Sequence, residues 1–232
     1  YGVPDEELVQ YAEQLIGDNV GADDGWGEKR INSDKVGREL IGNIEEYGIK
    51  DWSYELTDSA QVSVVTNSKL IKIPNKRMFN QKEVEKLGLH EVGGHVLRAE
   101  NGRIQPLDMF AQGFPGYLET EEGIAMFLQE QHGLMPSSSY VKMGINTLVS
   151  DSAGNGDTFK QTYDRLKELG IEDDTFVFDR VMRGFRGGDG IHGAFTNGHL
   201  YLQGLNEVDR FVKEGGKLKD LYVGKIGIGD LE

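Results

Sequence analysis

The chain has 232 residues, 38% of them hydrophobic and 28% charged, enough for one domain with a sizeable core. It has no cysteine, which excludes a disulfide framework and any thiolate nucleophile or ligand, so a metal would have to rest on histidine nitrogens and carboxylate oxygens. A formal net charge of −14 argues against nucleic acid and anionic membranes as partners, and no apolar run is long enough to span a bilayer.

The N-terminus, Tyr1-Gly2-Val3-Pro4, has neither a basic nor an apolar leader segment, and a chain that opens on tyrosine fits an excised or processed piece. A soluble protein is expected, with a cytoplasmic location slightly favoured and the oligomeric state open. Amphipathic patterns predict helices over residues 5–16 and 34–47, the second capped by Ser33, with Gly17 and Gly48 as stops. Strands are predicted at 52–56, 61–66 and 69–73, the last two joined as a hairpin through Asn67-Ser68. Strand 69–73 is also expected to offer an edge to an extended peptide. Asn80 and Glu83 form a capping-box pattern that opens a helix running to about residue 100. Further helices are predicted from near Thr120 to Gly133 and over 139–149, 158–169, 174–183 and 206–214. The fold class is therefore α+β, mainly helical, with a small sheet in the N-terminal half. Residues 1–59 read as a helical part of the same domain as a catalytic region spanning 60–232.

His90-Glu91-Val92-Gly93-Gly94-His95 is an H-E-x-x-x-H motif, with one residue more than the H-E-x-x-H of many zinc peptidases. On a regular α-helix residues i and i+5 point about 140° apart, against about 40° for i and i+4, so these histidines could not share an ion. An inserted residue in the form of a π-bulge would realign them, and Gly93-Gly94 sits where it would fall. A catalytic zinc usually takes three protein ligands. In Thr120-Glu121-Glu122-Gly123-Ile124-Ala125, Thr120 is expected to cap a helix whose first turn carries both carboxylates. Glu122 is the expected third ligand, with Glu121 as the alternative. One Zn2+ per chain would then lower the pKa of a water to about 7, and Glu91 would take its proton and pass it to the leaving amine. His132, His192 and His199 read as surface or core histidines, and a three-histidine site fails because position 101 is asparagine.

The stretch from His90 through Arg98, Asn101 and Gln105 to Pro106 resembles H-E-I-G-T-H-x-L-R-x-x-N-x-x-x-Q-P of the tyrosine/phenylalanine carboxypeptidase domain family. That family includes microtubule-associated tyrosine carboxypeptidases and QEGLA-motif proteins. Residues 120–125 are similar to its T-E-E-G-L-A, and segments at 180–184, 194–204 and 224–226 resemble later family segments. The resemblance implies a zincin-like, gluzincin-type metallopeptidase with zinc on His90, His95 and Glu122 and Glu91 as acid/base. It also implies carboxypeptidase activity, for which Arg183 or Arg180 would bind the terminal carboxylate of a peptide or protein substrate and Tyr201 would donate to the oxyanion. Gly94 departs from the family's threonine, and Asn197-Gly198 from its lysine-aspartate. The charge of −14 suits acidic tubulin tails poorly, so another peptide C-terminus is the expected substrate, its last residue aromatic or bulky. Two other readings are weighed: a dipeptidyl-peptidase or endopeptidase with the H-E-x-x-x-H motif, as in dipeptidyl peptidase III, and a catalytically silent binding module.

Overall fold

The computed structural model describes residues 2–189, 191–193 and 195–231; Tyr1 and Ala194, which enter the sequence reading, lie outside them. In chain order the elements are α1 (Glu6–Asn19), β1 (Ile31–Asn32), α2 (Ser33–Glu46), β2 (Ser53–Thr57), β3 (Ser63–Val65), β4 (Leu70–Pro74) and β5 (Met78–Phe79). Then follow α3 (Gln81–Leu87), a π-helical segment (Gly88–Val96), α4 (Leu97–Arg103), α5 (Met109–Gln112), α6 (Tyr117–Gln131), α7 (Ser137–Asn155), α8 (Phe159–Glu168), α9 (Asp174–Gly184) and α10 (Leu200–Lys213). The fold is α+β and mainly helical, and among the described residues no helix is long and apolar enough to cross a membrane.

The chain forms two compact units, one of residues up to 24 together with 136–206, the other of 25–135 together with 207–232. In the first unit α1 buries Leu8, Ala12, Leu15 and Ile16, and it lies so close to α7 that a Cβ on Gly144 would stand 2.7 Å from the Ala12 carbonyl oxygen. Thr158 caps α8 in a capping box with Gln161, and Asp173 caps α9 by accepting from the Phe176 N–H.

The second unit holds the sheets. Val36, Leu40 and Ile44, spaced four residues apart on α2, meet Ile71 and Ile73 of β4, Phe79 of β5, and Val92 and Val96 of the π segment in one buried cluster. Each such side chain contributes roughly 1.5–3 kcal/mol on burial, so this cluster anchors the π segment to the sheet. The cap of α2 is Asn32, not Ser33: the Asn32 side chain accepts from the Lys35 N–H, while the Ser33 hydroxyl donates to the Pro74 carbonyl. β3 and β4 are antiparallel with Val65 opposite Leu70, as the hairpin reading expects, across a 3-10 turn at Thr66–Ser68. β2 pairs with β4 in parallel on the other side. β4 is thus the central strand, and the expectation that residues 69–73 offer an edge to a peptide is corrected: both sides of that strand already have ladder partners.

Candidate metal centre

Asn80 and Glu83 close a capping box and start α3 as the sequence predicts, but the helix does not continue as α to residue 100. From Gly88 to Val96 it is π-helical, and the Leu97 N–H bonds back five residues to the Val92 carbonyl. The extra residue per turn turns His95 onto the side of His90, with ring centroids 5.1 Å apart. Neither Gly93 nor Gly94 is among the glycines with positive φ, so a left-handed backbone does not explain them. Close packing does: a Cβ on Gly94 would stand 2.7 Å from Ala125 Cβ, and one on Gly93 would stand 2.9 Å from Leu128 Cδ1, both on α6. The glycines let α6 approach, and α6 carries Glu122.

α6 starts three residues earlier than predicted, at Tyr117, after Gly116 in the left-handed region (φ 82°). Thr120 therefore does not cap it; its hydroxyl accepts from the Ile228 N–H at 3.0 Å instead. Glu121 and Glu122 fall beyond the first turn, and the helix dipole is not what holds them. His90, His95 and Glu122 each offer a ligand atom within 4.8 Å of the others, and His90 Nε2 lies 3.5 Å from Glu122 Oε2. Bonds of about 2.0–2.2 Å to a tetrahedral Zn2+ put neighbouring ligand atoms roughly 3.4 Å apart, so this spacing fits.

The outer nitrogens of both histidines are occupied. His95 Nδ1 donates to Glu121 Oε1 at 2.9 Å, and His90 Nδ1 meets the amide of the fully buried Gln129 at 2.7 Å. Glu121 is itself held by Lys225 at 3.0 Å and by Arg98 at 3.4 Å. Arg98 is fully buried and also donates to the carbonyls of Leu221 and Ile226. Burial alone would raise the Glu121 carboxyl, but the bond to His95 and the charges of His95, Lys225 and Arg98 hold it below the usual carboxylate range. Of the two adjacent carboxylates, Glu121 faces this cationic cluster and Glu122 faces the two histidines. Glu91, beside them, is raised to about 7 by burial, against the charge of His95 and with that of Glu122. Burial lowers His95, but the bond to Glu121 and the carboxylates of Glu122, Glu121 and Glu91 outweigh it and bring it to about 9. Three carboxylates around two imidazoles make a field that favours positive charge, which is what a dication would supply.

A family model described as microtubule-associated tyrosine carboxypeptidase matches residues 1–232, the whole chain. The chain belongs to that family. No curated protein matches it. Membership in the microtubule-associated tyrosine carboxypeptidase family implies a peptidase of the carboxypeptidase type. Gly94, which departs from the threonine read for the family, sits where an added Cβ would stand 2.7 Å from Ala125 Cβ of α6.

The other candidate residues are in the first unit. Arg180 and Arg183 lie on α9 and share one pocket; Tyr201 is on the first turn of α10, half-buried and outside that pocket's lining. His132 and His192 are exposed, and His199 is buried with Nδ1 bonded to the Thr196 carbonyl at 2.6 Å, which fits their reading as surface or core histidines. Sequence reasoning missed Gln129, Arg98 and Lys225, which lie 39, 23 and 104 residues from the side chains they hold. Glu121 did carry a signal, as one of an adjacent acidic pair, but nothing in its spacing said that it would bind a histidine.

Proposed function

We propose that this chain is a zinc-dependent carboxypeptidase of the gluzincin type that releases a C-terminal aromatic or bulky residue from a peptide or protein. The convergence of His90, His95 and Glu122 within 4.8 Å, beside the buried Glu91, carries the reading. A structural zinc site is closed by four ligands and needs no base, whereas three ligands with an adjacent carboxylate suit catalysis. Zn2+ at these ligands would acidify a water and polarise the scissile carbonyl.

Glu91 takes the proton of the attacking water as its oxygen bonds to the carbonyl carbon, then gives a proton to the leaving nitrogen as the C–N bond breaks. The products are a shortened chain and one free amino acid. Burial raises the Glu91 carboxyl above the ordinary carboxylate range, the direction that suits a group which must both take and give a proton. Glu121, fixed by Lys225 and Arg98, keeps the proton of His95 on Nδ1 and leaves Nε2 for the metal. With His90 Nε2 likewise engaged, Nδ1 carries a proton, and the Gln129 amide turns its oxygen, buried and without a hydrogen-bond partner in the arrangement described, to accept it. The roles of Tyr201 as oxyanion donor and of Arg180 or Arg183 as carboxylate readers are proposals on side-chain chemistry alone.

The family description names tyrosine and microtubules. An aromatic terminal residue follows it, while the charge of −14 favours C-termini less acidic than tubulin tails. The test is mass spectrometry of a peptide library incubated with the zinc-loaded protein and with Glu91→Gln. Loss of single C-terminal residues by the parent alone supports the proposal. Cleavage that persists with blocked C-termini but stops with blocked N-termini would replace it with the dipeptidyl-peptidase reading, and no cleavage with the silent-module reading.

A further inference from the structure

A helix that passes from five-residue to four-residue spacing leaves one carbonyl without a main-chain donor, and a carbonyl so stranded away from water is costly unless another group answers it. In this chain the change falls at Leu97. Its N–H bonds to the Val92 carbonyl five residues back, and α4, which starts there, has four-residue spacing. Counted four back from Arg98, the acceptor is Gly94, so the Gly93 carbonyl is passed over. The Tyr222 hydroxyl donates to that carbonyl at 3.0 Å, from 129 positions further along the chain. Gly93 lies between the two histidines in sequence, and its carbonyl marks the register: in an ordinary α-helix Leu97 would bond to Gly93 and not to Val92. Without the tyrosine hydroxyl the π register would carry a stranded carbonyl, whereas the α register would lose nothing at Gly93.

Tyr222 arrives on a pinned segment. It ends the 3-10 turn Leu218–Tyr222, next to the Leu221 carbonyl that accepts from Arg98, and Lys225 beyond it holds Glu121. The Lys225 backbone is fixed as well, its N–H donating to the Phe110 carbonyl at 2.7 Å and its carbonyl accepting from the Phe114 N–H at 2.9 Å. All of these residues belong to the second unit. Burial pushes the Tyr222 hydroxyl up to about 12, so it keeps the proton that it donates. We propose that Tyr222 is a positioning residue of the candidate metal centre: its hydroxyl answers the carbonyl that the π segment strands, and so keeps His95 in line with His90 and Glu122. Its service to a metal rests on the zinc reading; its hold on the helical register does not. A tyrosine that only anchored the segment around it would add stability and leave the register alone.

The experiment compares the full chain with Tyr222→Phe, which removes the hydroxyl and keeps the ring. The matched control is Ser33→Ala, which deletes a hydroxyl that donates to another buried carbonyl of the same unit, that of Pro74. Register is read in the metal-free proteins by nuclear magnetic resonance, from the scalar coupling across the hydrogen bond between the Leu97 amide nitrogen and its acceptor carbonyl. Metal binding is read as the zinc dissociation constant in chelator competition and as the visible spectrum of the cobalt-loaded protein. In the parent and in Ser33→Ala the coupling is expected to run to Val92, with equal zinc affinity. In Tyr222→Phe it should vanish or move to Gly93, zinc should bind roughly ten-fold more weakly or worse, and the cobalt bands should change. A Val92 coupling unmoved in Tyr222→Phe overturns the proposal and leaves the tyrosine an anchor of its own segment. Zinc affinity and cobalt bands equal to the parent's overturn it too. The two readings fail separately: a coupling that moves in a protein whose parent takes up neither metal would sink the zinc reading and leave the tyrosine's hold on the register standing.

Discussion

The His90–His95–Glu122 cluster of the second unit and the arginine pocket of the first place charged groups under cover in opposite ways. Around His90, His95 and Glu122 the outer atoms are tied down: His95 by Glu121, Glu121 by Lys225 and Arg98, His90 by Gln129. In the pocket, Arg180 and Arg183 bury donors that meet no acceptor among the described residues. The first arrangement is tied down by the protein's own side chains, the kind of pre-organisation that catalysis calls for; the second leaves its donors open. Pre-organisation and unmet demand are thus separable in the same chain, and substitutions should separate them further.

The largest effect is expected from Glu91→Gln, which removes the proton carrier and leaves every metal ligand in place. Hydrolysis should fall by about 10²- to 10⁴-fold while elemental analysis still finds one zinc per chain; wild-type turnover would end the proposed mechanism. Glu121→Gln strikes the support rather than the site. It weakens the hold on His95 and leaves buried Arg98 and Lys225 less compensated, so zinc affinity should drop roughly 10- to 100-fold and stability by up to about 3–5 kcal/mol, read by competitive chelation and urea unfolding. If Glu121→Gln bound zinc as tightly as the parent, the distinction between tied and untied charges would lose its content.

Gly94→Thr tests the packing that brings the two ligand-bearing helices together. Its Cβ would meet Ala125 at 2.7 Å, so a stability loss of about 1–3 kcal/mol from overpacking is expected in thermal unfolding, with weaker zinc retention. The smallest effect concerns Glu119 of α6, which burial and the hydrogen bond it donates to Glu207 raise to about 7. Because that value lies above the ordinary 4.5, the pair's contribution is whole below pH 4.5 and is lost as pH rises through 7. Glu207→Gln should flatten this part of the stability–pH curve; an unaltered slope would mean that the pair does not share a proton.

Much of this was legible because it is local. The capping box at Asn80 acts over three residues, and the H-E-x-x-x-H spacing with Gly93-Gly94 called for a π segment because no α-helix can align residues five apart. The start of α6 was misread because Thr120-Glu121-Glu122 looks like a capped first turn, whereas Gly116 begins the helix with a backbone conformation that side-chain chemistry does not announce. The centrality of β4 was invisible as well, since its parallel partner β2 is joined to it through β3, and pairing across such a connection has no turn signature.

By itself, then, the sequence determined the absence of thiolates, the π-helical register and the family. Those depend on composition and on spacing along one helix. Only the tertiary structure decided that Glu121 serves His95 while Glu122 faces the histidines, that Arg98 and Lys225 secure that division, and that Arg180 and Arg183 are left unanswered beside Asn197. Which of two adjacent carboxylates meets a cation is set by side chains up to about 100 residues away, and spacing carries no record of them.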